Sequence, residues 1–430
     1  MQESRIINWF LVLVFVYFVT LSADLLQIKL WLFKPKINHL IAVLLFLVVF
    51  LSGQFRVMDK TLFVCFLGLL SACCISSLFS CNPLRSLGYA AVAAFSYVMY
   101  FLLPLNLFRL FDRRLLLRLY FASFIVIGVH ACSQFLCGFF GMIDPFVTQV
   151  YGDKLVRAQS WTYEPSYYAL FMTPFVVYMN AQFLIAEKKE RLSFILIVGC
   201  NALLLVSTAT SGFFSYFIFL LTCLCLLPQY RGLFPQFFKR ICRFALAFLV
   251  FCSGIGILFT QYISLTYFKF FNWEFFKHIS FRERWERITF AWKTFCEHPL
   301  WGTGLGDPEQ QLYATTHFNN PHILLHHPTL DMFDTFTMTN VFTEVLASLG
   351  LYGISVLLLT IYIMIKKLHM ARKNLPRPDQ IIIVPLLTSL VVMVLCLQFN
   401  QGIFRNYVWV HMAISMGFLF SAQQAQRRTI

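Results

Sequence analysis

Apolar runs of about 20 residues recur from one end of the chain to the other, and they constrain its fold more than any other feature. That length lets a helix cross the hydrocarbon core of a bilayer, where a backbone must satisfy its own hydrogen bonds. Only 12% of the 430 residues are charged, about half the share found in soluble domains. We therefore predict an all-α, polytopic helical membrane protein.

The runs predict about 12 transmembrane helices. They lie near residues 6–26, 38–55, 61–79, 86–108, 119–140, 167–185, 192–208, 212–228, 244–262, 341–365, 381–399 and 407–421. The first run is too long for a signal-peptide core and has no A-x-A cleavage site, so we interpret it as a retained span.

Positive charge gives these spans a direction, because cytoplasmic loops of membrane proteins are rich in Lys and Arg. With the N-terminus in the cytoplasm, most of the 34 Lys and Arg residues fall in inner segments, although Lys29, Lys34 and Lys36 mildly oppose this orientation. We predict that both termini are cytoplasmic. The net charge of +15 is then that of a membrane protein with basic inner loops, and it does not indicate a nucleic-acid partner.

Two outer connections are long enough to carry a function, since long loops without a role are uncommon. They divide the chain into N-terminal transmembrane helices (1–140), an outer loop (141–166), central transmembrane helices (167–262), a large outer loop (263–340) and C-terminal transmembrane helices (341–430).

The large outer loop contains an amphipathic helix over residues 280–298, SFRERWERITFAWKTFCEH. Trp285, Ile288 and Trp292 recur at three- and four-residue steps with charges between them, which predicts a helix lying on the membrane surface. Pro299 and the glycines of HPLWGTGLGDP then end that helix in a tight turn.

No familiar motif identifies the chemistry. The chain has no Walker A loop, no dinucleotide-binding glycine pattern, no zinc-type spacing of Cys and His and no nucleophile elbow. Its 13 cysteines lie mostly inside apolar runs, where they behave as small apolar side chains. We predict no cofactor and no metal, and we look for chemistry among polar residues near the outer membrane surface.

The stretch RAQSWTYEPSYYAL, residues 157–170, has two interpretations. In one, Trp161 and its neighbouring tyrosines form an interfacial aromatic belt with a snorkelling Arg157. In the other, Arg157 binds a phosphate through its guanidinium group. Glu164, beside Pro165 at a helix start, then takes a proton, caps the helix or pairs with an arginine.

Arg282, Arg284 and Arg287 in the predicted surface helix also have two interpretations. They rest on anionic lipid headgroups, or one of them faces Arg157 across a membrane-edge cavity. Two arginines would suit a lipid diphosphate, whose charge needs more than one cation.

Two further polar groups lie on the outer side. THFNNPHILLHHPTLDMFD contains His326 and His327, which suit a general base or a hydrogen bond to a sugar because histidine titrates near neutral pH. QFNQGIFRNY places Gln401 and Arg405 at membrane depth, where polar side chains usually face a cavity. An ordinary short loop explains the second group equally well.

Three motifs in order resemble the O-antigen polymerase and O-antigen ligase superfamily of bacterial envelope glycosyltransferases. R-x6-EPS-x2-A begins at Arg157, R-x3-I-x2-A begins at Arg284 and leads into HPLWGTGLG, and N-x3-E-x5-GLYG begins at Asn340. Together they cover about residues 157–365 in the family's order.

The resemblance implies a metal-independent glycosyltransferase that moves a polyprenyl-diphosphate-linked glycan to a sugar hydroxyl at the periplasmic face of the bacterial inner membrane. Attack opposite the leaving group would invert the anomeric centre. The family's diphosphate or glycan contacts fall on Arg157 and Arg284, with Glu164, His326 or His327 as the base. We also expect the substrate to contact Arg282, Arg287, Asn340, Gln401, Arg405 and Trp161.

One departure from the family separates two activities. Ligases typically carry a histidine just before the Asn that opens the span after the large loop, and here that position is Thr339. We therefore predict a repeat-unit polymerase, with which a chain-length regulator protein often works. The alternatives are a ligase that transfers the glycan to lipid A-core and, in another class, a polysaccharide or lipid-linked oligosaccharide transporter, which usually shows an internal repeat that this chain lacks.

Overall fold

The structure is a computed structural model. It describes residues 2–27, 35–57, 59–142, 144–147, 150–151, 155–185, 194–207, 209–226, 239, 279–318, 340–398 and 405–429. The regular structure in these ranges is helical apart from one hairpin of two-residue strands.

The first part of the chain forms six helices within the described ranges. They are α1 (Gln2–Val19), followed by the 3-10 turn Thr20–Ser22, α2 (Ile37–Leu51), α3 (Lys60–Ser77), α4 (Pro83–Ser96), which continues through the π-helical turn Tyr97–Leu102 into α5 (Leu103–Leu110), and α6 (Arg113–Phe139). The antiparallel strands β1 (Val150–Tyr151) and β2 (Leu155–Val156) follow.

The rest of the described chain is helical. Its elements are α7 (Pro165–Ile185), α8 (Phe194–Leu205), α9 (Thr210–Leu226), α10 (Ile279–Glu297), α11 (Asp307–Phe318), α12 (Val341–Asn374), α13 (Arg377–Cys396) and α14 (Asn406–Thr429).

Short polar side chains start several of these helices by accepting hydrogen bonds from the otherwise unpaired N–H groups of the first turn. Asp59 caps α3, Asn82 caps α4, Asp112 caps α6 and Asn340 caps α12. These caps place the helix starts at the polar ends of the apolar runs.

Among the described residues, six helical stretches are long and apolar enough to cross a membrane, which agrees with the predicted helical membrane protein. They are α3, the continuous stretch Pro83–Leu110, α6, α7, α12 and α13. The predicted span 244–262 lies outside the described residues, and the other predicted spans each coincide with a described helix. The count of 12 spans and the five-part division of the chain stay predictions.

The centre of the bundle is α7, which packs against α8, α9 and α13. Its side chains are apolar on all sides and almost all of them are buried, as expected of a helix enclosed by other helices. The rings of Phe171 and Phe175 stack on Phe124 of α6, with centroid distances of 4.5 and 5.3 Å. The outer end of α7 is therefore held in place by the core.

Connecting segments that the charge pattern assigns to one side contact one another. On the predicted outer side, the Cys81 N–H donates to the Asp307 carboxylate at 3.0 Å, and the Leu25 N–H donates to the Trp161 carbonyl at 3.0 Å. On the predicted inner side, the Arg113 guanidinium group at the start of α6 donates two hydrogen bonds to the Asp379 carboxylate, at 2.9 and 3.0 Å. These contacts agree with the predicted alternation of spans. Which side faces the cytoplasm stays a prediction.

The predicted surface helix is present as α10, whose packing onto α12 buries Ala291 and Thr294. Trp285 and Trp292 are 62% and 55% exposed, so they point away from the protein. Tryptophans exposed in this way are typical of a helix that contacts the membrane interface. Contact with the membrane surface remains a prediction.

Candidate functional site

The loop that carries Arg157 and Glu164 is held by Gln134, a glutamine buried in α6. Its Oε1 accepts the backbone N–H groups of Gln159 at 3.2 Å and Ser160 at 2.7 Å, and its amide nitrogen donates to the Ser160 carbonyl at 3.2 Å. Ser160 has a φ of 54°, an uncommon backbone conformation for a residue other than glycine. The three hydrogen bonds hold this conformation and with it the loop.

Glu164 directly precedes α7, as the sequence predicts, with Pro165 at the first helical position. Its carboxylate accepts a hydrogen bond from the Ser166 hydroxyl at 2.8 Å, and its carbonyl accepts the N–H of Tyr167 at 3.1 Å. The carboxylate also interacts electrostatically with Arg284 of α10. The role of Glu164 as a base, a helix cap or the partner of an arginine stays a prediction.

Arginines from separate parts of the chain meet beside Glu164. Burial lowers the pKa of Arg284, the nearby Arg287 and Arg157 lower it further, and Glu164 and Tyr167 oppose this shift. Arginine keeps its proton in proteins, so Arg284 is a buried cation with the positive charges of Arg287 and Arg157 nearby and the negative charge of Glu164 to offset them. The structure therefore brings Arg157 and Arg284 within electrostatic reach of each other. Their role stays a prediction.

A fourth arginine enters the same region from the start of α14. The Arg405 guanidinium carbon lies 3.7 Å from the ring centroid of Tyr167, and its Nη1 lies 3.2 Å from Oδ2 of Asp24. Asp24 also forms an ion pair with Lys36. Asp24 thus balances the charges of two cations from different parts of the chain.

We call Arg157, Arg284, Arg287 and Arg405 the arginine cluster. Its members come from the loop before α7, from α10 and from the segment before α14. In chain positions they are separated by up to about 250 residues, so only the packing of the helices brings them to one end of the bundle. Guanidinium groups arranged in this way suit the phosphate oxygens of a diphosphate.

The glycine turn after α10 docks into a break in α12. At Gly350 the backbone leaves the helix, with a φ of 62°. The Leu351 N–H donates to the Pro299 carbonyl at 2.8 Å, and the Thr303 and Gly304 N–H groups donate to carbonyls of α12 at 3.1 and 2.9 Å. The turn therefore supplies hydrogen bonds that the broken helix has lost. Such a break is tolerated at membrane depth when protein covers it.

Two glycines are required for this docking because the two backbones touch. A Cβ on Gly302 would lie 2.3 Å from the carbonyl carbon of Ser348, and one on Gly350 would lie 2.4 Å from that of Leu300. Both glycines also have positive φ, which other residues rarely adopt. The HPLWGTGLG and GLYG motifs, separate in sequence, are thus two halves of one contact.

Of the other predicted site residues, Asn340 and Trp161 make contacts that support the fold. The Asn340 Oδ1 accepts the N–H groups of Phe342 and Thr343 at 2.9 and 3.2 Å, so it caps α12. The Trp161 ring lies 5.0 Å from the His130 ring and packs on the core. The remaining predicted site residues lie outside the described part of the chain. They are His326, His327, Gln401 and the side chain of Arg282.

Sequence reasoning missed the residues that support the arginine cluster, namely Asp24, Lys36, Gln134 and Tyr167. A weak signal exists for two of them. Lys36 opposes the predicted orientation, and its ion pair with Asp24 explains how an outer lysine is accommodated. Gln134 is a lone amide in an apolar run, a type of residue that usually has a partner.

The arrangement therefore offers concentrated positive charge, one nearby carboxylate and aromatic rings at one end of a helical bundle. Within the described ranges, His, Cys, Asp and Glu form no group of three that could hold a metal ion. The chemistry open to these residues is the binding of an anionic group and the neutralisation of negative charge that develops on it.

Comparison with curated proteins finds no match to this chain. A family model does match: residues 192–358 fit Wzy_C, described as O-antigen ligase. This range contains Arg284, the glycine turn and Asn340, whereas Arg157 and Arg405 lie outside it. The match confirms the predicted resemblance to the O-antigen polymerase and ligase superfamily, which comprises membrane glycosyltransferase-like enzymes of O-antigen assembly.

Proposed function

We propose that the protein is a repeat-unit polymerase of a bacterial surface polysaccharide. It transfers a polyprenyl-diphosphate-linked glycan to a sugar hydroxyl of another lipid-linked repeat unit, at the periplasmic face of the inner membrane. The observation that carries the proposal is the grouping of Arg157 and Arg284 with Glu164, next to the domain that matches the family model. The match by itself supports polymerase and ligase activities equally.

The arginine cluster suits the leaving group of this reaction. When the bond between the anomeric carbon and the phosphate oxygen breaks, negative charge grows on the diphosphate. Fixed arginines in a partly buried site stabilise that charge strongly, because they need little reorganisation and little water screens them. Attack by the acceptor hydroxyl from the opposite face inverts the anomeric centre.

The lipid part of the donor needs an apolar surface. A crevice between α3, the π-helical turn, α12 and α14 is lined almost wholly by apolar side chains, including those of Phe66, Phe101, Ile361, Trp409 and Met412. A prenyl chain is apolar along its whole length, so burial in such a crevice is favourable at about 25 cal/mol per Å². The crevice offers apolar contacts to the prenyl chain of a lipid-linked donor, as it would to any lipid tail.

Arginine variants test the proposed role of the cluster. We expect Arg157→Ala and Arg284→Ala each to abolish long polymer in cells at normal protein level, because the leaving diphosphate loses a cation. Arg118→Ala is the matched control, since Arg118 is an exposed arginine at the predicted inner end of the bundle. Full-length polymer from both cluster variants would contradict the proposal.

Deletion of the gene separates the two activities of the superfamily. Gel analysis of surface polysaccharide should then show the lipid core capped with a single repeat, as expected when polymerisation alone is lost. Loss of all capping together with accumulated lipid-linked polymer would indicate a ligase, the activity named by the matching family model. Unaltered polysaccharide would contradict both activities.

A further inference from the structure

A second polar cluster lies beside the glycine turn. It consists of Thr303, Glu309, Gln310, Glu344 and Ser348, which are all at least nine-tenths buried. In the part of the chain that the structure describes, one side-chain oxygen of each of these residues except Glu344 has no hydrogen-bond partner. A buried polar atom without a partner costs about 1–3 kcal/mol. Four of them in one place indicate a polar ligand.

The two carboxyl groups of this cluster are neighbours. Leu312 of α11 and Ala347 of α12 pack in one apolar cluster. Glu309 and Glu344 each lie three residues earlier, one turn away on the same helix face. The two carboxylates repel each other electrostatically, and both act on Tyr89 of α4. The pair therefore sits where α4, α11 and α12 converge.

The start of α11 is held in place by contacts with α4 and the segment before it. A Cβ on Gly306, the residue before α11, would lie 2.3 Å from the ring of Tyr89. The Asp307 carboxylate accepts the Cys81 N–H at 3.0 Å, which ties the first turn of α11 to the segment before α4. Glu309 follows two residues later, in the first turn of α11.

Burial and the neighbouring charges together raise the pKa of the Glu309 carboxyl. Arg85 is the cation that interacts with Glu309, while Asp307 adds a second negative charge. Burial raises the pKa of the Glu309 carboxyl to about 7, and Asp307 raises it too, whereas its own backbone N–H and Arg85 oppose the shift. Two buried carboxyl groups in reach of each other titrate as a unit.

Arg405 connects this pair to the arginine cluster. It interacts electrostatically with Glu344, and it stacks on Tyr167 at 3.7 Å. Tyr167 in turn interacts with Arg284 and Glu164. The carboxyl pair and the other arginines of the cluster thus lie on either side of Arg405, at the same end of the bundle.

We propose that the carboxyl pair Glu309 and Glu344 removes the proton from the acceptor sugar hydroxyl, and that Thr303, Gln310 and Ser348 bind neighbouring hydroxyl groups of that sugar. This inference rests on the proposed glycosyl transfer. The hydroxyl oxygen bonds to the anomeric carbon, and the bond from that carbon to the phosphate oxygen breaks with its electron pair. The hydroxyl proton moves to the carboxylate. The products are a longer glycan, a free polyprenyl diphosphate and a protonated pair, which returns its proton to water.

Initial rates of polymerisation by purified protein test this assignment. Between pH 6 and pH 8 the wild-type rate should rise about tenfold, because a base must be unprotonated and burial raises the pKa of the Glu309 carboxyl to about 7. Glu309→Gln and Glu344→Gln should be at least about 100-fold slower and lose the pH dependence. They should still melt near the wild-type temperature and bind the lipid-linked donor. Glu309→Asp should keep the pH dependence at a lower rate.

Glu297→Gln is the matched control, since Glu297 is an exposed glutamate at the end of α10. It should keep the wild-type rate and pH dependence.

If the glutamine variants of the pair do so as well, while Arg284→Ala is inactive, the carboxyl assignment is wrong and the proposed function stands. If wild-type protein makes no longer glycan, the proposed function fails and this inference with it. If a glutamine variant does not fold, a flat wild-type rate between pH 6 and pH 8 overturns the assignment.

Discussion

Arg405 illustrates how single residues position the site. Its guanidinium group is held from one side by the Asp24 carboxylate and from another by the Tyr167 ring. Asp24 and Tyr167 both adjoin connecting segments of predicted outer loops, so Arg405 joins the first span to the central helix. The motif-bearing arginines Arg157 and Arg284 could be found in the sequence. Asp24 could not, because its partner lies 381 residues away.

Removal of the Asp24 charge should therefore damage more than one contact. Asp24→Asn leaves Arg405 and Lys36 without their shared carboxylate, and loss of one partner from a buried pair costs about 3–5 kcal/mol. We expect a lower melting temperature in detergent and reduced polymer. Lys36→Ala is the control, because it leaves the Asp24–Arg405 pair intact and should cost much less. Equal stability of Asp24→Asn and wild type would show that the pair contributes nothing.

At the scale of elements, the contact between the glycine turn and the break in α12 shapes the predicted outer end of the bundle. Sequence patterns predicted the turn and the long helix separately. They did not predict the break at Gly350, because a helical pattern of apolar residues continues across it. The break exists because Pro299 and its neighbours offer replacement hydrogen bonds, which is a tertiary effect.

Alanine at either glycine of this contact should prevent docking. In Gly302→Ala and Gly350→Ala the new methyl group would meet backbone atoms at 2.3 and 2.4 Å, and backbone cannot swing away as a side chain can. We expect both variants to fold poorly, with a large loss of melting temperature. Gly141→Ala controls for backbone strain alone, because Gly141 has a φ of 75° with no atom within 4 Å. It should cost about 1–2 kcal/mol. Equal effects at all three glycines would rule out the clash as the cause.

At the scale of the whole molecule, local patterns account for the spans and tertiary contacts account for the site. Apolar length is a property of a single segment, so the positions of α3, α6, α7 and α13 follow from the sequence. The supporting contacts join segments far apart in the chain, such as Gln134 with Ser160 and Glu309 with Glu344. One sequence contains no signal for these pairings, because each depends on how the helices pack.

The predicted topology has a consequence for the whole chain. The contact of Cys81 with Asp307 places the connection between α3 and α4 on the same side as the large loop. If the chain is truncated after residue 81 or after residue 298 and alkaline phosphatase is fused to its new end, the phosphatase should therefore be active outside the cytoplasm in both cases. Fusions after residue 114 and after residue 375 should be inactive. Opposite activities of the first two fusions would contradict the predicted alternation of spans.

The most direct test of the central claim is polymerisation by purified protein. Lipid-linked repeat units should serve as both donor and acceptor, in the presence of a metal chelator and without nucleotide sugar. We expect wild-type protein to produce a ladder of longer lipid-linked glycans, and Arg157→Ala and Arg284→Ala to reduce its formation at least about 100-fold, in the range of a lost electrostatic stabiliser. Ladders of equal length and rate from wild type and both variants would contradict the claim that the arginine cluster stabilises the leaving diphosphate.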